Sequence, residues 1–247
     1  MEISLAAEKI GHIGSLPITN SMLTSWIAVL ILVILSFFAT RQMKLIPSGL
    51  QNALETVVEM LQGLVDSVMN DMTATKKYFP FLATLFLFII ANNWLGLLPG
   101  VGSIGLRQGD KFIPLLRGGN ADLNTTLALA VVACVMIEVF GIAAVGFWRY
   151  MKKFINFKSP IDFFVGILES ISEFSRLISF SFRLFGNIFA GEVLLAVITM
   201  LLPFVGPIPF YVLEIFVGFI QALVFTMLAL VFIKLAITNH EIEQAHA

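Results

Sequence analysis

The sequence predicts an all-α polytopic membrane protein. It should have about five membrane-crossing helices and one amphipathic interfacial helix, with the last two crossings long and strongly tilted. Three observations carry this reading. Of 247 residues, 58% are hydrophobic and only 13% charged, and the mean hydropathy is +0.95, far outside the range of soluble globular domains. Lysine and arginine gather in alternate connections between the apolar runs. The stretch Pro160–Leu202 holds no proline after its first residue. At ~1.5 Å rise per residue it makes ~64 Å of helix, against a hydrocarbon core ~30 Å thick. The whole chain, 1–247, reads as a single integral membrane domain.

Residues 1–22 form a short polar segment with Glu2, Glu8, Lys9 and His12. They show no basic stretch followed by an apolar core, so no cleavable signal peptide is expected. Arginine is absent before Arg41, which argues against an organellar transit peptide. A bacterial plasma (inner) membrane is the simplest location. Leu23–Thr40 is the first crossing, with Trp26 near one end and Arg41 and Lys44 beyond the other, the usual interfacial anchors. Residues 48–75 differ. Leu50, Leu54, Val57, Leu61, Leu64, Val65 and Val68 recur at helical spacing among Glu55, Glu59, Gln62, Asp66 and Asn70. That pattern predicts an amphipathic interfacial helix, closed by Lys76 and Lys77.

Pro80–Leu98 is the second crossing, with Asn92, Asn93 and Trp94 near its far end. The glycine-rich connection Pro99–Ala121, carrying Arg107, Asp110, Lys111 and Arg117, is expected to be partly irregular. Asp122-Leu-Asn-Thr-Thr126 supplies N-cap chemistry for the third crossing, which runs to about Phe147 and contains Cys134 and Glu138. Cys134 is the single cysteine, so no intrachain disulfide can form. Basic residues follow at Arg149, Lys152, Lys153 and Lys158. After Pro160–Leu202, the run Pro203–Pro209 makes a tight break, and Tyr211–Thr238 is the last crossing. Residues 160–238 thus form a pair of long helices. A polar tail, Asn239–Ala247, ends the chain.

One set of connections holds Arg41, Lys44, Lys76, Lys77, Arg149, Lys152, Lys153 and Lys158, with Lys234 near the C-terminus. The other holds Lys9, Arg107, Lys111 and Arg117. The richer set belongs in the cytoplasm, so the N-terminus faces out and the C-terminus in. That needs an odd number of crossings. Pro160–Leu202 then counts once, as one long tilted helix and not as two spans bent near Gly186 or Gly191.

Arg183 stands in the middle of that helix. An arginine at bilayer depth costs ~2.5–3.5 kcal/mol on insertion scales and more in simulations, and it cannot shed its charge. It is therefore expected to face both an aqueous cavity and a carboxylate partner. Glu138, Glu169, Glu173, Glu192 and Glu214 also lie in or near apolar runs. At ~100° per residue, Glu169, Arg176, Arg183 and Asn187 fall within ~40° of one another or of Arg183, whereas Glu192 falls ~180° away. Glu214 and Gln221, seven apart, share a face. Two polar clusters result. One, Glu169 with Glu173, lies toward the cytoplasm. The other, Glu192 with Glu214, lies toward the outside if the last two helices pack antiparallel. A continuous proton wire would leak, whereas two half-wires separated by a fixed positive charge would not. Glu138 has no assigned role.

Ser181-Phe-Arg183-Leu-Phe-Gly-Asn187-Ile-Phe-Ala-Gly-Glu192 resembles the signature of the subunit a family of the F-type ATP synthase. Asp122-Leu-Asn-Thr-Thr-Leu-Ala-Leu-Ala and Leu213-Glu214-Ile-Phe-Val-Gly-Phe-Ile-Gln221-Ala resemble two further motifs of that family. The resemblance covers most of the chain from about Pro80. It implies that Arg183 is the essential stator charge. It implies that Asn187, Glu192, Glu214 and Gln221 line the outer half-channel or flank the arginine, with Asp122 near its mouth. Many bacterial members have histidine where this chain has Glu214, which keeps a titratable group there. Glu169 and Glu173 would lie where the cytoplasmic half-channel opens, and Arg176 matches a position that is often basic. The implied partners are a c-subunit rotor ring with its carboxylate, b-type peripheral stalk subunits, indirectly the F1 sector, and the lipid bilayer. The resemblance implies no active site and no cofactor in this chain.

Other classes fit less well. A secondary transporter would usually show internal repeats, and none is visible. A plain membrane anchor has no need of Arg183 and buried carboxylates. A net charge of -1 does not suit nucleic-acid binding. No Gly-x-x-x-x-Gly-Lys-[Ser/Thr] loop occurs, and His12, His240 and His246 are all terminal, so neither nucleotide nor zinc is expected.

Overall fold

The structure, a computed structural model, describes residues 7–14, 16–41, 43–44, 46, 49–98, 100–101, 104–108, 111–151, 153–154, 160–203 and 205–238. Lys152, Lys158, Asp110, His240, His246 and the acidic tail lie outside the described residues. Helices dominate. A hairpin of β1 (Lys9–Ile13) and β2 (Leu16–Thr19) precedes α1 (Asn20–Thr40), α2 (Leu50–Met69) and α3 (Met72–Gly96). A second hairpin, β3 (Gly105–Gln108) and β4 (Lys111–Pro114), leads through a 3-10 turn at Gly119–Ala121 into α4 (Leu123–Val145). Then come α5 (Phe147–Met151), α6 (Pro160–Leu201) and α7 (Pro207–Thr238). Five helices, α1, α3, α4, α6 and α7, are long and apolar enough to cross a membrane.

Boundary residues explain where these elements begin and end. Thr19 caps α1 by accepting from the Met22 amide. Asn70 adopts a left-handed conformation (φ 55°) that ends α2. Asp71 then accepts from the Thr73 amide and starts α3 at Met72. The interfacial helix therefore stops at Met69, not at residue 75, and Lys76 and Lys77 belong to the second crossing. Pro80 lies inside α3 instead of opening it. Asp122 caps α4 as expected. The last crossing opens at Pro207, ahead of Tyr211. Pro207 and Pro209 fall in its first turn, where amide hydrogens have no intrahelical acceptor to lose. The stretch 160–201 is one continuous helix of 42 residues, ~63 Å long.

Neighbouring helices alternate in direction. The start of α1, the end of α3, the start of α4, the end of α6 and the start of α7 meet beside the two hairpins, here called the hairpin end. Ser21 donates to Asp122, Ser25 to Asn92, and Asn93 to the Gly218 carbonyl. At the opposite, basic end, Lys234 Nζ of α7 donates to the Val68 carbonyl in the last turn of α2 (2.6 Å). A cation there offsets the negative end of the α2 dipole.

The core lies among α3, α4, α6 and α7. Leu82, Phe86 and Ile89 pack with Ile137, Phe180, Leu184, Phe225, Leu230 and Ile233. The face that α4 buries is mostly small: Thr126, Ala130, Ala133 and Gly141, with Ile137. Small residues let α6 and α7 approach closely where lipid provides no hydrophobic drive. Leu61, Val65 and Met69 seal the apolar stripe of α2 against this core. The 3-10 turn is wedged between α1 and α3. A Cβ on Gly119 would overlap Asn92 and come against Ser25 Oγ, so only glycine fits there.

Candidate functional site

The site is built on the α6–α7 pair. Arg176 lies over the Phe232 ring (3.8 Å), Phe180 packs on Phe225 (4.6 Å), Asn187 bonds Gln221, and Gly191 faces Glu214. As the numbers rise along α6 they fall along α7, so the helices are antiparallel. That register sets every polar group of the site in order along the pair.

Arg183 sits near the middle, partly exposed. Its Nη2 donates to Ser179 Oγ one turn earlier (3.0 Å), and no carboxylate among the described residues pairs with it. It borders an open recess of about 270 Å³ lined also by Ser172, Ser175, Arg176, Ser179, Phe180, Leu228 and Phe232. The open recess matches the first half of the expectation for Arg183. The carboxylate partner is not supplied by the described part of this chain. Ser172, Ser175, Ser179, Gly186 and Ala190 continue an exposed lane of small residues along this face.

Toward the hairpin end, Asn187 Nδ2 donates to Gln221 Oε1 (2.6 Å). One turn on, the Glu214 carboxyl lies over Gly191. A Cβ on Gly191 would overlap it, so glycine admits that carboxyl between the helices. Glu214 is 6% exposed. Glu192 points elsewhere. Both its oxygens accept from the Arg117 guanidinium, at 3.1–3.3 Å. Asp122 is buried and accepts from Ser21 Oγ (3.0 Å), the Asn124 amide and Thr125 Oγ1. Asn120 donates to Asn93 Oδ1 (2.7 Å), which extends a polar layer beneath this end.

Toward the basic end, Glu173 accepts from Arg176 (2.7 Å) and Lys153 (3.3 Å), and Glu169 pairs with Lys153 (2.6 Å). These two glutamates, one turn apart on α6, are thus bridged by one lysine from the segment after α5. Tyr150 of α5 is almost wholly buried, with its ring against Gly141 and its hydroxyl toward Glu138. Burial raises the Tyr150 phenol above its ordinary range, and its hydrogen bond to the Glu138 carboxylate adds to this. Glu138, unassigned from sequence, therefore belongs to this cluster with Glu173.

The structure brings together Glu169, Glu173 and Arg176 at one end, and Asn187, Gln221 and Glu214 at the other, with Arg183 between. It sets Glu192 beside Arg117 rather than in a pair with Glu214. Arg117, Lys153 and Tyr150 were not read as site residues. Each comes from a connection or short helix far away in sequence, so helical spacing carries no trace of it. The Asp122 motif five residues beyond Arg117 was the one local hint.

Over residues 22–234 the chain matches the family model described as ATP synthase A chain. It is similar to the ATP synthase subunit a of Moorella thermoacetica, 32% identical over 234 residues, covering 94% of this chain and 97% of that protein. It is similar also to the ATP synthase subunit a of Gloeobacter violaceus, 35% identical over 243 residues (96% and 94% of the two chains). The ATP synthase subunit a of Trichlorobacter lovleyi is 35% identical over 230 residues (92% and 89%). These matches begin well before Pro80 and take in α1, α2 and most of α3.

Proposed function

The chain belongs to the ATP synthase A chain family, and from that premise we propose that it is the proton-translocating stator subunit, supplying two offset half-channels separated by Arg183. One observation carries the reading. Arg183 stands midway along a 42-residue apolar helix, and no carboxylate among the described residues pairs with it. A charge so placed needs a counter-charge or water. The lane of small residues beside it suits the close approach of another helix. A carboxylate on a passing rotor helix would meet both needs.

Protons come from outside past Asp122, Glu192 and Glu214 and reach a rotor carboxylate near Asn187 and Gln221. Neutralised, that carboxylate can turn through lipid, where its charged form would be costly. After nearly a full turn it meets the cytoplasmic half-channel at Glu173 and Glu169, with Arg176 at its wall. Arg183 favours the ionised rotor carboxylate and so promotes release. Its fixed charge also keeps the two half-channels from joining. Each proton crossing yields ~2.3 kcal/mol per 100 mV of membrane potential. The partners under this reading are the c-subunit ring, b-type stalk helices and, indirectly, the F1 sector. The membrane is the bacterial inner membrane, with the N-terminus outside.

Arg183→Ala tests the reading directly. The complex should assemble, and ATP-driven proton pumping in inverted vesicles should vanish. Pumping near the wild-type level, with the subunit present, would overturn it.

A further inference from the structure

Among the three carboxylates of the hairpin end, the hydrogen bonds are unequally committed. Asp122 accepts from Ser21, Asn124 and Thr125 and holds the first turn of α4. Glu192 is engaged at both oxygens by Arg117, whose side chain is 8% exposed. Glu214 has no ion pair among the described residues. Arg117 is itself well anchored. Its amide donates to Thr24 Oγ1 of α1 (3.2 Å), and Gly118 and Gly119, which follow it, press against α3.

We propose that Arg117 is a positioning residue of the outer half-channel: it clamps Glu192 as the fixed half of an ion pair, so that Glu192 holds the channel wall and does not carry the proton. The inference rests on the half-channel reading above. A carboxylate that relays protons must give up its hydrogen bonds at each passage. For Glu192 this would strand the Arg117 guanidinium where water scarcely reaches, once per proton. Glu214 faces no such obstacle and lies one helical turn from the Asn187–Gln221 pair. The clamp also ties the connection before α4 across α1, α3 and α6, and so fixes the mouth through which protons arrive. Opposite charge at positions 117 and 192 is what this role requires. An acid at 192 is not.

The test uses the intact complex in inverted vesicles, with ATP-driven pumping and the amount of assembled subunit measured together. Arg117→Gln and Glu192→Gln should each lower pumping ~10-fold or more, because each leaves a buried charge alone. Combining them, or exchanging the charges as Arg117→Glu with Glu192→Arg, should restore most of it. If Glu192 relays protons, the double neutral variant stays as poor as the worse single variant, and the proposal falls. Failure of the exchanged pair to assemble would overturn it as well, since a clamp tolerates reversal. Arg183→Ala in the same series separates the two levels. Pumping that survives that change sinks the half-channel reading itself, whereas lost pumping there with no rescue at 117 and 192 sinks only the clamp.

Discussion

Gly191 shows how one missing side chain places a functional group. The Glu214 carboxyl occupies the space a Cβ would take. The backbones cannot part easily, because Phe180 on Phe225 and Asn187 on Gln221 hold α6 and α7 in register on the Arg183 side. Gly191→Ala must therefore move the carboxyl. We expect the subunit to assemble but pumping to fall ~10–100-fold, the usual penalty for misplacing a reacting group by about 1 Å. Dye quenching in inverted vesicles reads this directly, and unchanged pumping would mean that the position of Glu214 is unimportant. Residue-level features of this kind were half legible in the sequence. The 100° rule puts Glu192 opposite Arg183, and the structure agrees. The same rule says nothing about what Glu192 meets, because Arg117 arrives from a connection with no helical period.

Asp122 connects the residue to its element. It was read both as the cap of α4 and as a group at the channel mouth, and its bonds to Ser21, Asn124 and Thr125 favour the first role. Asparagine caps helices about as well as aspartate, whereas alanine does not. Asp122→Asn should leave the heat stability of the assembled complex within ~0.5 kcal/mol of the parent, and Asp122→Ala should cost ~1–3 kcal/mol through the lost cap and the stranded Ser21 hydroxyl. The measurement is the amount of subunit retained in the complex after heating. Equal stability of the two variants would remove the capping role. Elements with a strong period were the legible ones: all five crossings and α2. The hairpins β1–β2 and β3–β4 were not. They are short, two-stranded and rich in turn residues, and neither has a period long enough to stand out from a loop. The boundary at Asn70–Asp71 was missed because the polar residues there continue the amphipathic pattern of α2. The break depends on one left-handed residue and one cap.

At the scale of the whole molecule, the surface itself argues for a bilayer. Leu30, Val33, Phe37 and Phe38 of α1 are each about 60% exposed, an aggregation hazard in water and an ordinary contact with lipid. Alternating helix directions and five crossings put the two ends of the chain on opposite faces, and the larger share of lysine and arginine at the basic end turns that end toward the cytoplasm. The weight of this topology falls on α6. If it crosses once, its ends lie on opposite sides; if it bent into two spans, they would lie on the same side, and every orientation beyond it would invert. Cys134 is the single native cysteine, so Cys134→Ser gives a thiol-free background. On it, Ile161→Cys and Leu202→Cys place one exposed thiol near either end of α6, and His12→Cys marks the first hairpin. A membrane-impermeant maleimide should label positions 12 and 202 in intact cells, and position 161 only in inverted vesicles. Labelling of 161 and 202 from the same side would break the single crossing. The antiparallel register that aligns Arg183 between the two polar clusters would then lose its meaning as a path from one face of the membrane to the other.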